Sequence, residues 1–261
     1  MFDVTLLNAL LLIAAGFAAG FINVTAGGGS MFTVPALIFM GIPGTVANAT
    51  NRIGVVFQSL SAIILFYRKG LSDLKLSFSL ALCTLPGTIF GVMSASRLRD
   101  DSFNIVLAGV MVFVLFLTLL GNKNEKSDET AVNALTRAVQ IPKKRLIWGH
   151  ALMSLAGFWG GFIQIGVGFI LIPILNRVMG FDLLRTNMHK VFILFVFTLV
   201  AIIIFMTQIR IEWVAGLIVG IGAIAGAWIG AHVQIKQGSN YIKWVINAVL
   251  IVFIIKLLFF T

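Results

Sequence analysis

The chain has 261 residues, of which 59% are hydrophobic and 11% are charged, and its mean hydropathy is +1.05. Because about a quarter of the residues of soluble proteins are charged, this composition excludes a soluble globular domain and predicts a membrane protein. The net charge of +10 does not indicate nucleic-acid binding, since the basic residues are scattered near predicted helix ends and in one polar connector. The single cysteine, Cys83, excludes a disulfide framework.

Long stretches without charge predict the membrane-spanning helices. The first, 5–22, has no positive n-region and is interpreted as a helix rather than a cleaved signal peptide. No Asp, Glu, Lys, Arg or His lies between Asp3 and Arg52. Further segments that lack these residues, hold one histidine or carry lysines only near their ends are 76–96, 102–122, 146–176, 191–209, 213–235 and 239–260. Each is close to or above the ~20 residues with which a helix crosses ~30 Å of hydrocarbon.

One long polar segment, NKNEKSDETAVNALTRAVQIPKKR, divides the chain nearly in half. We therefore predict a first membrane repeat at 1–121, a hydrophilic cytoplasmic connector at 122–145 and a second membrane repeat at 146–261.

The repeat is visible where GFAAGFINVTAGGGSMFTVPAL, from Gly16, aligns with GFWGGFIQIGVGFILIPIL, from Gly157, after a three-residue contraction. The matched pairs are Asn23 with Gln164, Gly28 with Gly166, Pro35 with Pro173, and ATN at 49–51 with RTN at 185–187. Polar residues, glycine and proline coincide in order, which favours a duplicated unit over chance similarity of apolar sequence.

Two apolar pieces, 31–41 and 169–180, extend only ~16–18 Å at 1.5 Å per residue. They are predicted to be re-entrant half-helices, so the expected fold is an all-α polytopic membrane protein of two parallel four-helix repeats with about eight crossings. If the short pieces cross the bilayer, the count becomes about ten and the repeat is inverted. In the eight-helix arrangement the N-terminus, the loop at 68–75, the connector and the turn near Arg210 share one side, which their Lys and Arg content makes cytoplasmic.

The stretch NVTAGGGSMFTVP at 23–35 breaks the first helix at membrane depth. Backbone groups that leave helical geometry there cost several kcal/mol each unless protein or water satisfies them, so the break predicts a cavity. Gly27, Gly28 and Gly29 let a ligand approach the main chain, and Ser30 is a candidate cap for the half-helix that follows.

Broken helices at matching positions of two repeats are typical of a transporter's substrate site. Close packing through small residues is the alternative, and it explains best four other glycines, Gly16, Gly20, Gly157 and Gly161.

The helix after the first break has a polar, cationic face. Asn48, Asn51 and Arg52 lie at i, i+3 and i+4, with Gln58 two turns beyond Asn51. An arginine that snorkels to the lipid head groups is the alternative for Arg52. No Asp or Glu lies inside a predicted span, whereas sodium and proton sites usually rely on buried carboxylates. Glycine amides, half-helix N-termini, asparagines and an arginine therefore favour an anion.

The second half is not chemically equivalent to the first. Asn187 occupies the position of Asn51, but a methionine takes that of the arginine, and His189 and Lys190 follow on a different face. Arg185 and Lys190 are candidate interfacial anchors, as an alternative to a role in a site. His189 is a candidate proton carrier, with a structural histidine as the alternative.

The motif GGGSMFTVPAL, followed by ATN at the mouth of the next helix and repeated in weaker form after the central loop, resembles the TauE/SafE sulfite exporter family, also called the toluene sulfonate uptake permease family. The resemblance covers essentially the whole chain, although GVGFILIP in the second half keeps only part of the glycine cluster. It implies transport of sulfur-containing anions, such as sulfite, sulfonates or organosulfonates, across the bacterial inner membrane. The direction of transport and the particular anion are left open by the motif.

The combined hypothesis is a secondary transporter in which the two halves expose a central anion site alternately. Candidate anion contacts are Asn23, Gly28, Gly29, Ser30, Asn48, Asn51, Arg52, Gln164, Gly166 and Asn187. Arg52 supplies charge neutralisation, and His189 is the candidate for proton coupling.

A passive anion channel and a membrane assembly factor without transport activity are the alternatives. An enzyme is not expected, since the chain offers no paired carboxylates, metal-ligand cluster or nucleophile with its base. No cofactor, metal or nucleic acid is expected. The expected partners are the anion, the lipid bilayer of the inner membrane and, through an exposed apolar helix face, a second copy in a homodimer.

Overall fold

The computed structural model describes residues 5–25, 27–120 and 141–237, which form helices and no strand. In chain order the helices are α1 (Leu6–Thr25), α2 (Ser30–Phe39), α3 (Gly44–Arg68), α4 (Leu74–Ser96), α5 (Asp100–Leu120), α6 (Lys143–Phe162), α7 (Gly168–Pro173), α8 (Leu183–Gln208) and α9 (Trp213–Gln237). Helix α7 continues as a π-helical turn, Ile174–Val178. The span predicted at 239–260 and the connector up to residue 140 lie outside the described residues. The last residues of the predicted connector, from Lys143, belong to α6.

Among the described residues, five helices are long and apolar enough to cross a membrane, namely α1, α3, α4, α8 and the part of α9 at Trp213–Ile235. Their outer surfaces carry large apolar side chains, among them Leu6 (78% exposed), Phe90 (67%) and Ile203 (63%). Such surfaces are stable against lipid and unstable against water. The prediction of an all-α, multi-pass membrane protein is therefore confirmed.

The helices break where the sequence predicts. Helix α1 ends at Thr25 and α2 begins at Ser30. Between them Gly27 has a φ of +91°, which lies outside the right-handed helical region and therefore interrupts the helix. Helix α6 ends before Gln164 (φ +59°) and Gly166 (φ +72°). Gln164 is the one non-glycine residue with positive φ in the part of the chain that the structure describes. Both short helices that follow the breaks, α2 and α7, contain a proline.

Glycines allow two helix pairs to approach until their backbones touch. A Cβ atom on Gly16 would lie 2.2 Å from a carbonyl oxygen of α9, and one on Gly157 would lie 2.0 Å from a carbonyl oxygen of α4. Gly20 and Gly161 face the same two partners at 2.3 and 2.4 Å. These four glycines therefore serve helix packing, the role that the sequence favours for them.

The order of contacts gives the direction of each helix. The pairs that fix it are Gly16 with Val219 and Gly230 with Phe21 between α1 and α9, and Thr50 with Gly216 and Ser61 with Ile224 between α3 and α9. Residue numbers rise together in both sets, so α1 and α3 run parallel to α9 and hence in the same direction. The segment between α1 and α3, which contains α2, therefore returns the chain to the end of the bundle where α1 begins.

This direction corrects the predicted arrangement of the loops. The end of α3 packs on the start of α8, since Leu65 and Leu184 share a core cluster, and the start of α3 packs on the end of α8 through Ile53 and Phe205. Helices α3 and α8 are thus antiparallel. The loop after α3, at 68–75, and the turn near Arg210 lie at opposite ends of the bundle rather than on one side. Hydropathy gives the length of each segment but not its direction, which is why the sequence did not reveal the return through α2.

Candidate functional site

The two helix breaks meet in backbone-to-backbone contact. The N–H of Gly168 donates to the carbonyl oxygen of Gly27 at 3.2 Å. A Cβ atom on Gly27 would lie 2.5 Å from the Cα of Gly168, and a Cβ on Gly168 would lie 2.2 Å from the Cα of Gly27. Gly28 faces the ring of Phe169 beside this contact. The sequence alignment pairs Gly28 with Gly166, so it misses Gly168 as the partner of the first break.

Arg52 and Asn48 of α3 bind the carbonyl groups at the end of α6. Arg52 Nη1 donates to the Gly160 oxygen at 3.0 Å, and Nη2 donates to the Gly161 oxygen at 2.6 Å. Asn48 Nδ2 donates to the Phe162 oxygen at 2.9 Å. The last carbonyls of a helix have no partner within the helix, and a cation there also favours the negative end of the helix dipole.

The side chain of Arg52 is fully enclosed. It is 0% exposed, its guanidinium lies 4.7 Å from the centroid of the Phe205 ring, and its Nε–H has no hydrogen-bond partner. This burial excludes the alternative of an arginine that snorkels to the head groups.

Lys190 of α8 binds the end of α1 in the same manner. Its Nζ donates to the carbonyl oxygen of Val24 at 3.1 Å and to Oδ1 of Asn187. Lys190 is 0% exposed, so it is not an interfacial anchor. Arg185, one turn nearer the start of α8, has a side chain that is 15% exposed and lies 3.4 Å from Asp182, a position that suits an anchor.

Sequence reasoning missed Lys190 because alignment of the two halves pairs a methionine with Arg52. The available signal was a lysine directly before the charge-free segment 191–209, one turn after Asn187. The structure shows that Lys190 is the spatial counterpart of Arg52, since each of the two caps the broken helix of the other half.

Neither cation has a carboxylate partner among the residues that the structure describes. Within residues 5–25, 27–120 and 141–237 the salt bridges are Arg185 with Asp182 and Arg210 with Glu212, both at helix ends. Burial of an unpaired charge is costly. Arg52 and Lys190 are therefore two basic side chains, buried next to the helix breaks, that have no acidic partner in the described part of the chain.

A polar cluster lies at the start of α2. Asn51 Nδ2 donates to Ser30 Oγ at 3.1 Å, and Thr33 Oγ1 donates to Asn51 Oδ1. The space beside these side chains is too narrow for a water molecule in this structure. It is bordered by Ala19, Ser30, Thr33, Asn51, Gly54, Val55, Gln58, Val219 and Ala223. Ser30 is the first residue of α2, and the N-cap is Gly29, which offers no side-chain hydrogen bond. The expectation that Ser30 caps this helix is therefore wrong.

Two predicted contacts, Gly29 before α2 and Asn23 within α1, lie next to each other. A Cβ atom on Gly29 would lie 2.1 Å from the Ala19 oxygen and 2.7 Å from the Cβ of Asn23. This face of Gly29 therefore contacts protein, whereas the sequence analysis expects glycine to admit a ligand. Asn23 is buried, at 5% exposure.

The second break holds fewer polar groups. Gln164 Nε2 donates to Thr198 Oγ1 at 2.9 Å, while Gln164 Oε1 and Asn187 Nδ2 have no hydrogen-bond partner. His189 has different partners from these groups. Its Nδ1 is 2.8 Å from Ser77 Oγ, and its ring packs on Phe181.

The polar groups described above are cations, amides and hydroxyls. In the described part of the chain no three His, Cys, Asp or Glu side chains lie close enough to hold a metal ion. Such a donor set suits an oxyanion, because guanidinium, ammonium, amide and hydroxyl groups all donate hydrogen bonds to its oxygens.

Comparison with known proteins agrees with a membrane transporter. "Probable membrane transporter protein ORF9" of Sinorhizobium sp is 28% identical over 95% of this chain and 91% of its own length. "Probable membrane transporter protein" of Haemophilus influenzae is 26% identical over 89% and 88%, and "Probable membrane transporter protein YfcA" of Escherichia coli K12 is 27% identical over 97% and 90%. These relatives are named as transporters and not as enzymes. No solved structure matches the chain.

The family model described as "Sulfite exporter TauE/SafE" matches residues 12–257, which include both helix breaks and both buried cations. This match confirms the resemblance carried by GGGSMFTVPAL and its weaker second copy. The chain belongs to the sulfite exporter TauE/SafE family.

Proposed function

We propose that the protein is a secondary transporter of small sulfur-containing anions, such as sulfite or sulfonates, across the bacterial inner membrane. The observation that carries the proposal is the pair of buried cations, Arg52 and Lys190, without an acidic partner in the described residues. An anion bound beside either cation would lower the cost of that buried charge. The family description as a sulfite exporter and the transporter names of the relatives support the substrate class.

We further propose that the two halves are inverted repeats. In this proposal α1 corresponds to α6, α3 to α8 and α4 to α9. Its support is that α1 packs along α9 as α6 packs along α4, and that α3 and α8 are antiparallel. In an inverted repeat each short helix carries the chain back to the side from which the preceding helix came. The proposal therefore adopts the alternative of about ten segments in place of eight crossings in parallel repeats.

In the inverted arrangement the two cations lie nearer to opposite sides of the membrane. Arg52 lies about two turns after the start of α3, and Lys190 lies about two turns after the start of α8. Because these helices are antiparallel, the two cations lie toward opposite ends of the bundle, with the contact of Gly27 and Gly168 between the two breaks. Alternating access would open the protein first on the side of one cation and then on the side of the other.

The distribution of charge supports one orientation of this arrangement. The basic residues at the end that holds the loop after α3 and the start of α6 include Arg68, Lys69, Lys75, Lys143, Lys144, Arg145, Arg177 and Arg185. Those at the opposite end are Arg97, Arg99 and Arg210. The excess of Lys and Arg makes the first end cytoplasmic. The connector is then cytoplasmic, as the sequence analysis expects, and the turn near Arg210 is periplasmic.

The test is anion uptake by the purified protein in liposomes, with sulfite and methanesulfonate as substrates and chloride as a comparison. The informative variants are Arg52→Gln and Lys190→Gln, which keep an amide donor for the helix carbonyls but remove the charge. The matched control is Arg185→Gln, which removes a partly exposed cation from the same helix as Lys190. We expect saturable uptake and counterflow by the wild type, a loss of at least tenfold in the first two variants, and a change of less than threefold in the control.

The outcomes separate the alternatives. Uptake that rises linearly with concentration and shows no counterflow would support a passive channel. Absence of any anion flux would contradict a transporter and leave an assembly factor. Equal uptake by the wild type and Arg52→Gln would remove the buried cation from the proposed mechanism. The proposal requires the bilayer and the anion as partners, and it does not require a homodimer.

A further inference from the structure

We propose, on the basis of the transport function and orientation above, that the anion is carried with a proton, which enters from the cytoplasmic end and reaches His189 through Ser77. The Oγ atom of Ser77, in the first turn of α4, lies 2.8 Å from Nδ1 of His189 on α8. The two residues are 2% and 1% exposed, so their hydrogen bond is enclosed by protein. Such a pair needs a connection to water before it can exchange a proton with the solvent.

This connection lies beside Ser77, at the loop after α3. A space between the end of α3, the loop and the start of α4 is large enough to hold a water molecule. Its walls include three residues whose side chains hydrogen-bond to water, namely Ser72, Asp73 and Ser77. Ser72 and Asp73 are exposed at the surface, whereas Ser77 is buried. The space therefore leads from solvent to Ser77, which links it to the imidazole.

The chemistry of a hydroxyl suits this link, because a serine both donates and accepts hydrogen bonds. The acceptor is a neutral His189 with its hydrogen on Nε2. A hydronium O–H bond breaks as a bond to Ser77 Oγ forms, and the original O–H bond of Ser77 breaks as a bond to Nδ1 forms. The serine is unchanged, water is released, and the imidazole gains the proton. The carboxylate of Asp73, at the outer end of the route, attracts the incoming cation.

The charged groups around His189 come from two elements. Asp73 faces it from the start of α4 and Arg185 from one turn earlier on α8, and their charges act in opposite senses. Lys190, the next residue, directs its ammonium group to α1. Phe181 packs on the imidazole with 4.7 Å between ring centroids, and α3 and α6 contribute apolar side chains to this part of α8. A change of charge at His189 is therefore felt mainly within the start of α8 and the start of α4.

The position of His189 couples the proton to the anion. His189 directly precedes Lys190, whose ammonium group caps α1 at the first helix break. A proton on His189 adds a second positive charge to this turn of α8, and opposite charges attract more strongly where water is excluded. An anion beside Lys190 therefore favours a proton on His189, and by reciprocity the proton favours the anion to the same degree. Proton and anion would then cross the membrane in the same direction.

The first experiment measures the protons that the wild type takes up when methanesulfonate binds. This anion stays ionised throughout the pH range used, so any proton taken up goes to the protein. Titration calorimetry of the full chain in detergent, in buffers of equal pH but different heats of ionisation, gives the number of protons. We expect net uptake within the range of pH about 5 to 8, where histidine titrates. Binding without proton uptake anywhere in this range would overturn the inference, and the measurement needs no variant.

The second experiment is methanesulfonate uptake by liposomes with and without an inward proton gradient. We expect the gradient to accelerate uptake by the wild type at least about fivefold, and the acceleration to be lost in Ser77→Ala and His189→Gln. The matched controls are Ser79→Ala and His150→Gln. Ser79 lies on the same helix as Ser77, and its Oγ is 2.9 Å from Nε2 of His150, but this pair is exposed and outside the route. Both controls should keep the acceleration of the wild type.

The outcomes distinguish this inference from the transport proposal. If the wild type carries no anion, the transport proposal fails and the coupling with it. If the wild type carries methanesulfonate but ignores the gradient, or His189→Gln still responds to it, the proton route is wrong while transport stands. Loss of the acceleration in Ser79→Ala as well as in Ser77→Ala would indicate a general disturbance of α4 and overturn the route through Ser77.

Discussion

At the residue scale, Lys190 is a case in which binding and stability oppose each other. The ammonium group is fully buried, and its hydrogen bonds within the described residues go to two neutral oxygens, one from Val24 and one from Asn187. Burial of a charge carries a desolvation cost, and replacement of buried ion pairs by apolar groups of similar size is often neutral or stabilising for this reason. A role in anion binding would explain why a charge remains at a position where it costs stability.

Lys190→Met should therefore keep or raise the melting temperature of the purified protein while methanesulfonate binding falls at least tenfold. The methionine fills the volume of the lysine stem but removes the charge that attracts the anion. Differential scanning fluorimetry and calorimetry on the same preparation check both parts. A variant that melts several degrees earlier yet binds methanesulfonate as the wild type does would show that Lys190 is only a structural cap of α1.

At the scale of the helices, the contact between the two breaks can be tested separately from backbone strain. Gly168 adopts an ordinary negative φ, yet a Cβ there would lie 2.4 Å from the carbonyl oxygen of Gly27. Gly41 is the matched control, because it has φ of +82° and nothing within 4 Å of an added Cβ.

We expect Gly168→Ala to destabilise the protein by about 2 kcal/mol or more, since the two breaks must separate. Gly41→Ala should cost only about 1 kcal/mol, the penalty of a left-handed conformation. Thermal and denaturant unfolding of the two variants in the same detergent measure the difference. A melting temperature of Gly168→Ala equal to that of the wild type would contradict a tight contact between the breaks.

The local features of the helices were largely predictable from sequence, and their partners were not. Glycine and proline mark the breaks directly because they alter backbone geometry where they stand. The capping of α6 by Arg52 and Asn48 joins residues that are far apart in sequence. Spacing within a helix places Arg52 beside Asn51 but does not reveal that the two side chains bind different elements, α6 and α2.

At the scale of the whole molecule, the directions of the helices predict which loops lie on which side of the membrane. The loop after α3 and the turn between α8 and α9 lie at opposite ends of the bundle. In a Cys83→Ala background, single cysteines at Lys69 and at Arg210 should therefore react with a membrane-impermeant maleimide from opposite sides. Intact cells should label the cysteine at 210, and inverted membrane vesicles should label the one at 69. Labelling of both from one side would restore the arrangement of eight crossings in parallel repeats.

The error about direction has a simple physical origin. A span count depends on whether each short apolar piece reverses the chain, and a piece such as 31–41 has the same composition in either case. The direction is instead determined by long-range packing, such as that of Gly16 on Val219 and Ser61 on Ile224. The membrane class, the broken helices and the family were accessible from sequence because each depends on local composition or on a contiguous motif.

The exchange of caps between the two halves also constrains how the protein is made. The ribosome completes α1 long before Lys190 is synthesised, so the carbonyl of Val24 enters the membrane without its final donor. Helix α6, in contrast, emerges when Arg52 is already in the bilayer and can be capped at once. The first half therefore cannot reach its finished form until α8, in the second half, has been inserted and Lys190 has reached the end of α1.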